Sequence, residues 1–322
     1  MPPLTEGALN SVQSVHALDR LPSLMRLGSL HSLMVPIAVG SALAWWQLGT
    51  FNLWILIFSL LGGASLYLST NAFVAYYDNR RSQEHNRERG HPPQPELLIA
   101  HASPVYLTHW GDVLSVAWLL LIFGGLTGLW LAYLAGWPVL FFSGVSTLIA
   151  ITYALPPIQF GYRVGVLGEV GFLIAFGYLP TLTAFFAQSG TLTRLPLLVG
   201  IPIALLLTLI SLHYALINWR QDWRLRKRTS AVILSAQTVL DMGMLVIGLA
   251  FVGILVLVGT GFLPAWALIG LAPLPLALGP YARIQRGQST YGESVQLLQA
   301  TISTSATLGL LLVLALWLDK GF

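Results

Sequence analysis

The stretch NAFVAYYDNRRSQEHN, residues 71–86, places an amide and a carboxylate on one helical face. Asn71, Val74, Ala75 and Asp78 fall at i, i+3, i+4 and i+7, which stacks them along one side of a helix. Glu84 follows in what reads as a loop. A second stretch, HYALINWRQDWRLRKRT, repeats the arrangement. Tyr214, Asn218 and Asp222 stand at i, i+4 and i+8, and Arg220, Arg224, Arg226, Lys227 and Arg228 crowd around the acid. Carboxylates at two helix ends beside a basic cluster suit a magnesium–diphosphate site. Mg2+ takes one or two carboxylates plus substrate phosphate and water oxygens, and Arg and Lys neutralise the remaining phosphate charge. The basic cluster alone is equally explained by membrane topology. The polar residues on the helical faces are not, because such groups at membrane depth face a cavity or a partner.

A third stretch, YALPPIQFGYRVGVLGEVGF, carries Tyr153, Pro156, Pro157, Tyr162, Arg163, Gly165, Gly168 and Glu169. It reads as a rigid turn into a helix. Glu169 falls near that helix N-terminus, where negative charge is favoured, so capping is its plain role.

The elements that must hold these residues are membrane spans. Of the 322 residues, 56% are hydrophobic and only 9% charged, against about a quarter charged in a soluble domain. The mean hydropathy is +0.74. Continuous apolar runs without strand-like alternation predict helices rather than a barrel. Nine are expected, near 29–47, 52–78, 111–134, 137–155, 166–188, 195–218, 230–258, 262–281 and 296–318. AGW and GTG make tight hairpins between the third and fourth and between the seventh and eighth. Of the 16 Lys and Arg, all but Arg194 and Lys320 fall on one side. The positive-inside rule makes that side cytoplasmic. The N-terminus is then cytoplasmic and the C-terminus outside. The fold class expected is all-α integral membrane, in a prokaryotic inner membrane. A cytoplasmic segment (1–25) precedes a single transmembrane domain (26–322).

Several functions are excluded or unneeded. No cysteine is present, which removes thiolate catalysis, disulfides and cysteine-bound clusters. The seven His are scattered without an HExxH. Residues 1–25 lack a signal-peptide pattern. Topology accounts for the net charge of +4, so no nucleic-acid partner is implied. Gly124 and Gly128 in GGLTG have the spacing of close helix packing. Asp241, about a dozen residues into the seventh span, is expected to face the bundle interior.

Taken together, these stretches resemble the UbiA superfamily of membrane prenyltransferases, and most closely its branch that prenylates 1,4-dihydroxy-2-naphthoate on the way to menaquinone. RLGSLHSLMVPIAVGSALAW resembles the family's first helix. YALPPIQFGYRVGVLGE resembles that branch's Tyr-rich, Gly-Leu-Gly-Glu loop, and KRTSAV its Lys-Arg-Thr stretch. The resemblance implies nine helices around a central cavity open sideways to lipid. It implies Mg2+ and the diphosphate of a polyprenyl donor held by two Asp-rich motifs, and an allylic carbocation captured by an aromatic acceptor. Carried over residue by residue, Asp78, Glu84, Asn218 and Asp222 hold the metal and diphosphate. Asn71, Arg163, Glu169, Lys227 and Arg228 bind substrate. Tyr153 and Tyr214, with Tyr76 and Tyr77, shield the carbocation.

The sequence also departs from the family. The first motif's Asn-Asp pair is Val74-Ala75 here, Glu84 replaces a later Asp, and the second motif's first carboxylate is Asn218. Two readings therefore stand. One is an active, Mg2+-dependent aromatic prenyltransferase. The other is a catalytically degenerate protein of the same fold that holds a quinone, prenyl lipid or pigment, or serves as a subunit of a larger membrane complex. A transporter has little support, since no inverted repeat is visible.

Overall fold

A computed structural model of the chain describes residues 14–88, 106–284 and 290–321. Among them, nine helices are long and apolar enough to cross a membrane. They are α1 (Ala17–Leu48), α2 (Leu53–Glu88), α3 (Trp110–Ala135), α4 (Trp137–Ala154) and α5 (Leu167–Ser189). The remainder are α6 (Arg194–Arg224), α7 (Ala236–Gly259), α8 (Ala265–Arg283) and α9 (Tyr291–Gly321). The only strands among the described residues are three-residue segments, β1 (Ser14–His16) and β2 (Tyr106–Thr108), paired in parallel. Every run expected from the sequence is a helix. Arg89 and Arg286, counted with the basic face, lie outside the described residues.

The order of burial follows from the order of packing. α6 is the most buried span, at 78% of its most apolar window, and it packs on α5, α7, α9 and α1. α3 and α4, at 17% and 22%, turn most of their surface outward, where lipid solvates their Leu, Phe and Trp. Gly136, at φ +108, makes the one-residue reversal between them. Gly124 lies against the Gly62 carbonyl of α2, where an added Cβ would meet it at 3.4 Å. Gly128 faces Ser143 of α4. The GGLTG pattern is thus a packing stripe, as its spacing predicts.

Three boundaries differ from the sequence expectation, and each moves a polar residue. α2 continues through Glu88, ten residues past Asp78. Its solvated end is held by an i,i+4 pair of Arg80 and Glu84, so Glu84 is helical rather than in a loop. α7 starts at Ala236 rather than near 230, after a separate turn at Ser230–Ile233. Asp241 is consequently only five residues into the helix. It is exposed and accepts from Gln237 Nε2 at 2.9 Å, not turned to the bundle interior. α1 is not one smooth helix. Its first turns are broken at Arg26, which adopts the left-handed region at φ 57.

α5 contains one wide-turn segment, Leu173–Tyr178. Gly177 allows it to press on α6, where an added Cβ would stand 2.6 Å from the Ala204 Cα. The segment sets Phe176 edge-on against Tyr67 of α2, with centroids 5.7 Å apart.

Candidate active site

Helix α2, ten residues before its end, and the end of α6 meet through one lysine. Lys227 Nζ lies 2.6 Å from Asp78 Oδ2 and 3.2 Å from Asp222 Oδ1. The α6 helix ends at Arg224, and the chain then turns back so that the Lys227 N–H donates to the Asp222 carbonyl at 2.8 Å. That return brings the ammonium under the helix end. Thr229 Oγ1 donates to the other Asp222 oxygen at 3.1 Å. Burial by itself would lower the Lys227 pKa, but the two carboxylates outweigh it and hold the ammonium above the ordinary lysine range. Lys227 is therefore charged at any ordinary pH.

Tyrosines form the wall beside this trio. The Lys227 ammonium sits 4.5 Å from the centroid of the Tyr162 ring, a favourable cation–π distance. Burial first, and the Asp78 charge next, push the Tyr162 phenol well above its usual pKa. Its buried hydroxyl has no hydrogen-bond partner among the described residues, so it is a neutral donor left free. Tyr153 tilts against Tyr162 at 5.9 Å between centroids. Gly161 is required here, because a Cβ would fall 2.5 Å from the Tyr153 ring.

Tyr214 lies one turn before Asn218 on α6, with the Arg26 guanidinium 3.8 Å above its ring. Asn218 Oδ1 is buried and unpartnered among the described residues. An acceptor left unsatisfied in this way carries a desolvation cost of about 1–3 kcal/mol unless a ligand uses it.

The other candidates are placed apart from the trio or are already engaged. Asn71 is buried and donates its amide to the Tyr67 carbonyl at 3.0 Å. Glu169 is buried and accepts from Ser230 Oγ at 2.6 Å, which links α5 to the loop after α6. Arg228 is exposed, and its backbone does the work: its N–H donates to the Tyr162 carbonyl and its carbonyl accepts from Gly165, both at 2.7 Å. Arg163 and Glu84 line an open polar cleft with Arg81, His85, Arg226 and Arg228. The Glu84 side chain is 61% exposed, with Arg80 as its partner. Tyr76 and Tyr77 stack edge to face at 5.1 Å.

Three residues that the motif spacing does not reveal also belong here. They are Tyr162, Arg26 and Arg81, whose Nη2 donates to Gln159 Oε1 at 2.8 Å. The Tyr-rich stretch was the signal for Tyr162. Arg26 opens the RLGSLHS stretch and Arg81 lies in the 71–86 stretch, but the sequence marks them by topology and assigns neither a site role.

An apolar cavity of about 90 Å³ lies beyond Tyr67, between α1, α2, α3, α4 and α5. Gly62, Gly63, Gly124 and Gly125 form part of its wall.

A second cluster of possible ligands lies beside the start of α3. His16, His109 and Asp112 bring ligand atoms within 4.8 Å of one another. His16 Nδ1 accepts from the Leu18 N–H at 3.2 Å, and Nε2 stands 3.3 Å from Asp112 Oδ2. A neutral imidazole has one N–H, so this arrangement already uses both ring nitrogens.

The UbiA prenyltransferase family model matches residues 33–296. The chain belongs to the UbiA prenyltransferase family. Curated relatives include UbiA prenyltransferase domain-containing protein 1 of Danio rerio, 28% identical over 183 residues, which cover 56% of this chain and 51% of that protein. The protein of the same name from Gallus gallus is 27% identical with the same coverage. The chain thus spans about half the length of these relatives. Among solved structures, a UbiA homologue from Archaeoglobus fulgidus bound to GPP and Mg2+ superposes with a TM-score of 0.60, at 13% identity, over 94% of this chain and 100% of that one. The apo UbiA homologue from Aeropyrum pernix K1 gives 0.59 at 15% identity, over 91% and 98%. At such identities the likeness is one of fold: a multi-pass membrane bundle of the UbiA type.

Proposed function

We propose that this chain is an integral-membrane prenyltransferase that moves a polyprenyl group from its diphosphate to an aromatic acceptor, using Mg2+. The observation that carries this reading is the Asp78–Lys227–Asp222 trio. It sits at the meeting of the two helices whose ends the family uses, and it is walled by tyrosines. Two carboxylates against one ammonium leave a net negative charge in a largely buried place. Beside it, Asn218 Oδ1 is an unused oxygen donor. One divalent cation suits that donor set, with Asp78, Asp222 and Asn218 holding it beside phosphate oxygens. When bound, Mg2+ supplies neutralisation of charge on the departing diphosphate.

The chain's own groups do the rest. Lys227 fixes a positive charge beside the leaving group. Tyr162 offers an O–H to a diphosphate oxygen, and its ring and that of Tyr153 face the allylic cation formed as the C–O bond breaks. The acceptor ring then forms the new C–C bond, and the attacked carbon gives up its proton, or its carboxyl group as carbon dioxide, to restore the aromatic ring. The apolar cavity beyond Tyr67 takes the first part of the prenyl chain. At about 90 Å³ it is smaller than the ~150 Å³ cavity that holds benzene. A long chain therefore has to leave it sideways between helices.

The acceptor we favour is a naphthoate, as in menaquinone formation, on the strength of the 153–169 loop. We place the basic ends of the helices in the cytoplasm, and residues 26–322 in one domain. Residence in a prokaryotic inner membrane does not follow from kinship, since the family includes vertebrate relatives. Partners beyond substrates and lipid rest on the second reading, in which the cavity holds a quinone, prenyl lipid or pigment. Val74 favours that reading, because it is packed into the core where the family has a polar residue.

The test is to incubate purified protein with 1,4-dihydroxy-2-naphthoate, prenyl diphosphates of several lengths and either Mg2+ or EDTA, followed by mass spectrometry. Mg2+-dependent product supports the transferase. No product with any donor, together with a lipid that co-purifies, supports the binder.

A further inference from the structure

Arg26 is a cation with no anionic partner among the described residues. Among the described residues no carboxylate lies within ion-pair distance of it. The centre of its guanidinium lies 3.8 Å from the centroid of the Tyr214 ring, and Tyr67, Tyr153 and Tyr162 are close enough to feel its charge. The placement is imposed at a cost. Arg26 sits in the left-handed region, φ 57 and ψ 43, which side chains other than Gly, Asn and Asp rarely adopt. Backbone strain of this kind, on the order of 1–3 kcal/mol, persists where the surroundings enforce it and gathers at ligand sites. Here the enforcement is visible. Ser29 donates both its N–H and its hydroxyl to the Arg26 carbonyl, at 3.1 and 3.0 Å, and the same hydroxyl oxygen lies 2.7 Å from Tyr67 OH on α2. The kink is tied through Ser29 to α2.

We propose that Arg26 is the receptor for a carboxylate borne by the aromatic acceptor, so that the site selects acidic aromatics over neutral ones. The guanidinium sits against the Tyr214 ring, and its N–H groups have no hydrogen-bond or ion-pair partner among the described residues. Those N–H groups match a carboxylate in bidentate geometry. The diphosphate has its own cation in Lys227, which is paired with Asp78 and Asp222 and lies against a different ring, Tyr162. An aromatic acid lying among those rings puts its carboxylate at Arg26 and its ring toward the allylic carbon. The inference rests on the transferase reading for the acceptor's role, but the anion site itself can be tested by binding alone.

The experiment is calorimetry on the full chain in detergent, with 1-hydroxy-2-naphthoate and its neutral carboxamide as probes. Wild type is expected to prefer the acid by more than about tenfold, the scale of one charge-assisted hydrogen-bonded pair. Arg26→Gln should remove that preference while leaving carboxamide and prenyl diphosphate affinities within about twofold, and Arg26→Lys should restore part of it. Equal wild-type affinity for acid and amide overturns the proposal, whether or not any variant folds. So does a folded Arg26→Gln that binds the acid normally, or that loses prenyl diphosphate instead. Arg26-dependent acid binding without prenyl transfer would sink the transferase reading and leave the anion site standing. Prenyl transfer indifferent to Arg26 and to acceptor charge would do the reverse.

Discussion

Asp78 keeps 23% of its side chain exposed and has one ionic partner, whereas Asp222 keeps 6% and is held by both Lys227 and Thr229. The helix faces leading to them differ in the same sense. On α2, the position one turn before Asp78 is Val74, buried in a cluster with Ala72, Phe73, Val113 and Tyr162. On α6, the position one turn before Asp222 is Asn218, with a buried oxygen that nothing among the described residues satisfies. The α2 half has turned part of a polar face into core, while the α6 half has stayed polar. A site damaged at random would lose both kinds of feature. This one keeps a compact set built around the buried helix and recruits Lys227 to join the halves.

Removal of Lys227 should have the largest effect. Lys227→Met leaves two carboxylates facing each other without a cation. We expect a loss of about 3–5 kcal/mol, the range for breaking a buried ion pair from one side, read as a clear drop in the thermal unfolding midpoint. The raised Lys227 pKa sets the matching pH behaviour. A group whose pKa is higher folded than unfolded stabilises fully below the unfolded value, about 10.4 for lysine. Its contribution is lost only as pH rises through the folded value. Wild-type stability from this trio should thus be flat from neutral pH to about 9 and fall only in strong alkali. A loss beginning near pH 8 would contradict the assignment.

The two acids test the asymmetry more finely. Asp78→Asn and Asp222→Asn each leave a neutral Lys–Asp pair, so each should fold with a change of no more than about 1 kcal/mol, yet lose prenyl transfer. Asp222→Asn should be the more damaging to stability, because Thr229 loses a charged acceptor. Restoring the family's acid should also separate the halves. Ala75 is only partly buried, so Ala75→Asp should raise Mg2+ affinity. Val74→Asn buries a polar group in an apolar cluster and should cost about 1–3 kcal/mol. The smallest effect is expected at Glu84. Its exposed i,i+4 pair with Arg80 is worth roughly 0.3–0.5 kcal/mol, so Glu84→Gln should leave stability and turnover nearly unchanged. A turnover collapse there would return Glu84 to the metal set.

The spans were legible because lipid demands long apolar runs, and α1 to α9 all follow them. The pairing of Asp78 with Asp222 was legible from helical spacing at two span ends. The continuation of α2 to Glu88 was not, since hydropathy reports where the bilayer ends and not where a charged, self-paired helix stops. Asp241 was misplaced for a related reason. The apolar count began at 230, but the 230–233 turn is separate and the helix begins at 236. Arg26 was hidden most completely. Its place depends on a left-handed kink at the very start of the transmembrane domain, before the first apolar run, and no periodicity signals that.

The most direct test of the account is diphosphate release, measured with Mg2+ for wild type, Asp78→Asn and Asp222→Asn in parallel, each first shown to be folded. The account predicts Mg2+-dependent release by the wild type and none above background by either variant. Unchanged release in both variants would contradict the claim that these two carboxylates, joined by Lys227, form the site of prenyl diphosphate ionisation.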